Sequence, residues 1–169
     1  MDEKIYLSPL RIEFDLGIYS ELKYEDFIER IYTILTNKLG CSSVEKSEDL
    51  EKTHFYYEYF ALWIDREIFD IEVDDSDLDF YQREFGIEAT YEITIHVLRK
   101  TSDKGMFLVI RFIEELLKEN DADLILLGFD YEPLFKRTKL GLWANKYAQE
   151  HCQNEFNLTY PLNQFLDGS

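Results

Sequence analysis

The chain is poor in chain breakers, in cysteine and in positive charge. Seven glycines and three prolines among 169 residues are too few for a low-complexity or flexible linker-like chain. Two cysteines, Cys41 and Cys152, cannot make a disulfide framework and read as free thiols in a reducing compartment. No apolar run approaches the roughly 18 residues of a membrane-spanning helix. The opening residues Met1-Asp2-Glu3-Lys4 have neither the basic nor the apolar region of a secretory signal, so the sequence predicts a cytoplasmic protein. Lysine and arginine number 18 against 35 aspartates and glutamates, a net charge of −17. Such a surface repels phosphate backbones and anionic headgroups, which argues against nucleic-acid and membrane partners.

Apolar and aromatic residues nonetheless make up 46% of the chain. At this length about 70% of the unfolded chain's surface is buried on folding, enough for one core without metals or disulfides. The sequence therefore predicts a single domain over 1–169, with 146–169 as a C-terminal extension of undetermined structure.

The hydrophobic pattern predicts a strand at Leu10–Leu16. A helix over Tyr24–Leu39 follows, its apolar residues Phe27, Ile28, Ile31, Ile34 and Leu35 at helical spacing and Gly40 as its stop. Glu45–Lys52 reads as a loop. Thr53–Ile64 and Glu67–Val73 read as a hairpin turning at Asp65-Arg66, and Asp74–Gly86 as an acidic connection. Thr90–Leu98 alternates as a strand, with His96 on its polar face. Lys104–Asn120 reads as a second amphipathic helix carrying Phe107, Leu108, Ile110, Ile113, Leu116 and Leu117. Asp123–Phe129 suits a central strand, and Leu134–Arg137 with Lys139–Trp143 a closing hairpin. The order β-α-β-β-β-α-β-β predicts an α+β fold: a mainly antiparallel sheet of about six strands with two amphipathic helices packed on one face.

The charge is unevenly placed. Residues 65–92 hold eleven acids and two arginines, a net −9, whereas residues 133–148 hold Lys136, Arg137, Lys139 and Lys146 and no acid. Aromatics cluster in His54–Trp63. Treated as one strand, this run sets Phe55, Tyr57, Tyr59, Ala61 and Trp63 on one face and Tyr56, Glu58, Phe60 and Leu62 on the other. Tyrosines beside carboxylates on a rigid sheet suit a protein interface. The candidate partner-binding residues are Asp70, Glu72, Asp74, Asp75, Asp77, Asp79, Tyr56 and Glu58.

Catalytic signatures for nucleotide binding, serine hydrolysis and zinc hydrolysis are absent from the sequence. Asp75, Asp77 and Asp79 mimic the first ligands of a calcium loop, but Phe80 stands where the loop needs glycine and Gly86 where it needs a bidentate glutamate. His54, His96 and His151 have no partners at zinc spacing, and the adjacent pair His151-Cys152 lacks the geometry of an activated nucleophile. No metal, cofactor or catalytic residue is assigned.

The stretch Thr94–Leu98, the helix end Leu116-Leu117-Lys118, the run Asp121–Leu127, and Leu134-Phe135-Lys136-Arg137 through Leu140-Gly141-Leu142-Trp143-Ala144-Asn145 resemble the Sit-type (swarming-inhibition) immunity proteins of bacterial polymorphic toxin systems. The resemblance spans roughly residues 10–145. It implies a cytoplasmic antitoxin, not an enzyme, that neutralises a cognate toxin by binding it. The acidic segment would meet a basic surface such as a nuclease cleft. Two other classes fit the composition: a small carboxylate enzyme using a divalent ion, and an adaptor that dimerises through its aromatic strand. The expected partner is a toxin domain with a basic surface, and the expected state a monomer or homodimer.

Overall fold

A computed structural model of the chain describes residues 11–66, 77–119 and 121–145. The elements are β1 (Arg11–Ile18), α1 (Tyr24–Thr33), β2 (Glu45–Glu48), β3 (Lys52–Tyr56), β4 (Phe60–Asp65), α2 (Asp77–Phe85), β5 (Tyr91–Leu98), α3 (Ser102–Glu119), β6 (Leu124–Leu127), β7 (Pro133–Thr138) and β8 (Gly141–Ala144). Among the described residues the strands form one antiparallel sheet of eight, ordered β2-β3-β4-β5-β1-β6-β7-β8. The fold is α+β with an antiparallel sheet. It has more elements than the predicted six strands and two helices.

The central strands β1 and β5 pair along their whole length, from Arg11↔Leu98 to Ile18↔Tyr91. Their even-odd alternation sends Phe14, Leu16, Ile18, Ile93, Ile95 and Val97 to one face, where they meet α1 and α3. The first helix runs from Tyr24 into a π-helical turn at Ile34–Lys38. It then stops at Gly40, whose φ of +70° lets the Cys41 N–H donate back to the Leu35 carbonyl at 2.9 Å. Phe27 stacks on Tyr91 with centroids 4.0 Å apart, and the Tyr91 hydroxyl donates to the Leu22 carbonyl at 2.6 Å. On α3 the buried stripe is Gly105, Val109, Phe112, Ile113 and Leu116. Gly105 is needed there, because a Cβ would lie 2.6 Å from Val97 Cγ1 and 3.0 Å from the Tyr59 carbonyl oxygen. Each fully buried Leu, Ile or Phe of this face contributes about 1.5–3 kcal/mol.

Three predicted features differ. Glu45–Lys52 is not a loop: Glu45–Glu48 is the edge strand β2, exposed throughout, and Lys52 opens β3. An edge strand needs main-chain pairing on one side only and tolerates charge, so no apolar signal marks it. The run Thr53–Ile64 is two strands, reversed at Tyr57-Glu58-Tyr59, with the Tyr57 N–H donating to the Phe60 carbonyl at 2.9 Å. That turn reassigns the faces: Phe55 pairs with Leu62 in the core, whereas His54 pairs with Trp63 and Tyr56 with Ala61 on the opposite face. The predicted strand Glu67–Val73 lies outside the described residues, and with it the hairpin at Asp65-Arg66.

The acidic connection is the third. Within Asp74–Gly86 lies a helix, α2, and it does not join the other two helices. Its Tyr81 ring packs on Gly17, whose missing Cβ would fall 2.8 Å from Tyr81 Cδ1. Tyr81 clusters with Ile87, Ile125 and Leu127, the last two on the sheet face opposite Leu124 and Leu126. Its hydroxyl donates to Glu92 Oε2 at 2.7 Å. The sheet is thus covered on both faces, by α1 and α3 on one and by α2 on part of the other.

Arg137 ties the far strands to this scaffold. It is fully buried, donating from Nε to the Ala122 carbonyl at 2.8 Å and from Nη1 to the Leu117 carbonyl at 2.7 Å. Leu117 is in the last turn of α3, where carbonyls have no helical partner and the helix end is negative. Arg137→Met keeps the volume and removes these donors. The expected outcome is a loss of about 3 kcal/mol or more in chemical denaturation; an unchanged midpoint would refute the role.

Candidate functional site

The described part of the acidic segment borders a cleft of about 1000 Å³. One wall is the end of α2 and the residues after it, Gln82 to Glu88. The other is the outer face of the β7–β8 hairpin, with Lys136 and its cross-strand partner Trp143. Glu84 and Glu88 are exposed, and Asp123 and Glu132 are the other carboxylates among the described residues of the lining. The Glu88 N–H donates to Asp123 Oδ2 at 2.9 Å, which fixes the segment after α2 to the loop before β6. Glu132 lies 3.5 Å from Asn145 Nδ2, which donates to its Oε1. Two lysines, Lys136 and Lys139, also line the cleft. The negative and positive segments of the chain are therefore juxtaposed in space. Arg137 does not share in this, since its charge is spent inside the fold.

The predicted partner-binding residues that fall among the described residues are dispersed. Asp79 is exposed on α2, and Asp77 is the first residue of that helix. Asp70, Glu72, Asp74 and Asp75 lie outside the described residues. Tyr56 is not available to a partner: it is buried, its hydroxyl 2.9 Å from His54 Nδ1. Glu58 is exposed at the tip of the β3–β4 turn. The turn brings its neighbours Tyr57 and Tyr59 to a depression of about 490 Å³ shared with Asp103, Lys104, Phe107 and Leu108. Lys104 Nζ sits 5.3 Å from the Tyr59 ring. Phe107, expected in the core, is 42% exposed. The exposed aromatic surface thus comes from a turn and a helix, and an alternation rule for one long strand could not find it.

His96 was expected at the surface and is instead 1% exposed. It sits on the sheet face that α2 covers only in part, 4.1 Å from the Trp63 ring, and His54 stacks on that ring at 5.4 Å. Neither ring nitrogen of His96 has a hydrogen-bond partner among the described residues. Burial, with Arg11 and Lys52 nearby, pushes its pKa down to about 4. His54 is also lowered by burial, although Asp49, 3.6 Å from its Nε2, opposes the shift. Glu13 is directly opposite His96 on β1. Burial pushes the Cys41 thiol up to about 11, so it is protonated and unreactive at neutral pH. His151 and Cys152 lie outside the described residues. Among the described residues no group of three His, Cys, Asp or Glu is placed to hold a metal ion, and no helix is long and apolar enough to cross a membrane.

The histidine shift has a pH consequence. The folded state keeps His96 neutral, so protons bind preferentially to the unfolded chain below its ordinary pKa of 6.5. Stability is full above pH 6.5, falls through the interval down to about 4, and levels off below it. The expected contribution is about 1–3 kcal/mol, and His96→Phe should flatten denaturation midpoints across that interval. A slope unchanged by the substitution would assign the pH dependence to other groups. Comparison of the chain with protein-family models, with curated proteins and with solved structures finds no match.

Proposed function

We propose that the chain is an immunity-type inhibitor: a cytoplasmic antitoxin that binds a basic toxin domain and occludes its active site. The observation that carries this reading is the acidic wall of the cleft beside α2, continuous in sequence with a segment of net −9. An acidic face meets a basic cleft with fast, steered association, and nuclease toxins have basic clefts because they hold phosphates. A nuclease is therefore the target class that the charge favours. The resemblance to Sit-type immunity proteins, over roughly residues 10–145 with its motifs within 94–145, supports the same reading. The motifs lie in β5, α3, β6 and the β7–β8 hairpin. On this reading the chain performs no catalysis and carries no cofactor.

The test is binding to the toxin encoded beside it. Simultaneous charge reversal of Asp74, Asp75, Asp77 and Asp79 should weaken the complex by about tenfold or more. Raising salt from about 0.05 to 0.5 M should slow association by a similar factor. Affinity indifferent to both would rule out an electrostatic interface.

A second reading has one observation in its favour. The depression at Tyr57, Tyr59 and Phe107 would serve a homodimeric adaptor. Light scattering distinguishes the two: the inhibitor reading expects the 20.3 kDa monomer, and the adaptor reading twice that mass.

A further inference from the structure

We infer that the Trp63 indole is an acid-released cover. With His96 neutral it shields that imidazole, and protonation of His96 turns it out into solvent while the strands stay paired. Nothing in this depends on the inhibitor reading, on which the toxin-binding test bears alone.

His96 is misplaced as a purely structural residue. It is 1% exposed, and neither ring nitrogen has a hydrogen-bond partner among the described residues. A leucine or phenylalanine would occupy the site without burying unmatched polar atoms. What an imidazole adds there is a group that takes up a proton near neutral pH.

The cover is able to move. The Trp63 ring lies against the His96 imidazole, with centroids 4.1 Å apart and planes tilted by 53°. It is only half-buried, and it packs with Tyr56, Ala61 and Leu98 in a group separate from the α1–α3 core. Its backbone is held on both sides, by β3 and by β5. A rotation of the side chain alone therefore opens His96 to water, and no residue of the main core has to leave.

Charge sets the direction. Arg11 of β1 and Lys52 of β3 each lie 5.9 Å from the Trp63 ring, so its attraction for cations is already engaged. The carboxylates on this face are committed elsewhere or lie in water. Asp65 of β4 holds Lys52 at 2.9 Å, and Glu92 of β5 accepts the Tyr81 hydroxyl. On β1, Glu13 is across from His96 and exposed, and Asp15 is across from Thr94. Glu45 of the edge strand β2 is exposed as well. Asp49, in the β2–β3 turn, is 3.6 Å from His54 Nε2, and the Tyr56 hydroxyl is 2.9 Å from His54 Nδ1. A proton on His54 thus has a carboxylate close by. A proton on His96 joins two cations and meets no hydrogen-bond acceptor among the described residues.

The closed and open forms bind that proton differently. Burial, with Arg11, Lys52 and His54 beside it, holds His96 at about 4. In water the same imidazole returns to its ordinary 6.5. Lowering the pH therefore favours the open form. From these two values the open-to-closed ratio rises about 30-fold between pH 7.5 and 5, and approaches about 300-fold below pH 3. The release also bounds the stability lost over the same interval, because His96 reaches water before the whole chain unfolds.

The experiment follows Trp63 emission from pH 8 to 3 in the full chain carrying Trp143→Phe, which leaves Trp63 as its one indole. Far-ultraviolet circular dichroism and amide exchange of β1 and β5 are recorded alongside. Between pH 6.5 and 4 the emission maximum should move to the red and acrylamide quenching should rise, with dichroism and amide protection retained. The His96 imidazole resonance, assigned with His54→Gln and His151→Gln variants, should titrate with the same midpoint. His96→Phe should abolish the red shift, and His54→Gln should leave it in place. Emission constant to pH 4, a red shift that coincides with loss of dichroism and protection, or a shift that persists in His96→Phe would each overturn the inference. If His96→Phe does not fold, the wild-type titration decides: a His96 midpoint apart from that of the emission overturns it equally.

Discussion

The outer strands of this sheet depend on a buried guanidinium. Arg137 belongs to a stretch that carries four bases and no acid, and it would be expensive to bury without partners. Its partners are main-chain carbonyls at the end of α3 and in the following loop, groups that need donors in any case. One side chain thus meets two unmet demands, its own and the helix's. It also fixes which face of the hairpin turns outward. With Arg137, Phe135 and Leu142 directed to the α1–α3 side, Lys136, Thr138 and Trp143 are left to line the cleft.

The sheet divides the molecule's work between its two faces. The α1–α3 face is a continuous core of branched and aromatic side chains. The other face is a patchwork. At one end α2 seals Ile125 and Leu127 with Tyr81, at the other Trp63 lies between two histidines held neutral by burial, and beyond α2 the cleft opens. Polar and titratable groups collect on this face because its cover is partial. A satisfied apolar core has no use for them, and a fully solvated face would not perturb them.

Much of the central architecture was legible in the sequence. Helices α1 and α3 and strands β1, β5 and β6 have strong periodicity, since each buries one stripe or face against the same core. The Gly40 stop was legible for the same local reason. Three features were not. Strand β2 owes its existence to backbone pairing with β3 and carries only exposed polar side chains. The turn at Tyr57-Glu58-Tyr59 has no glycine, proline or asparagine to announce it. Helix α2 is short and lies within an acidic run, so Phe80, Tyr81 and Phe85 count only once Gly17 and Ile125 are known to face them.

The candidate site divides along the same line. Composition by itself determined that the protein is acidic, that the excess sits in one segment and that a basic stretch follows about forty residues later. These are sums over residues, indifferent to conformation. Only the tertiary structure decided that the ends of these segments face each other across a cleft, that Arg137 is withdrawn from the basic side, that Tyr56 is buried and that His96 is neutral. Each of those depends on which groups at distant positions come within a few ångströms, and burial and charge interaction change steeply over that range.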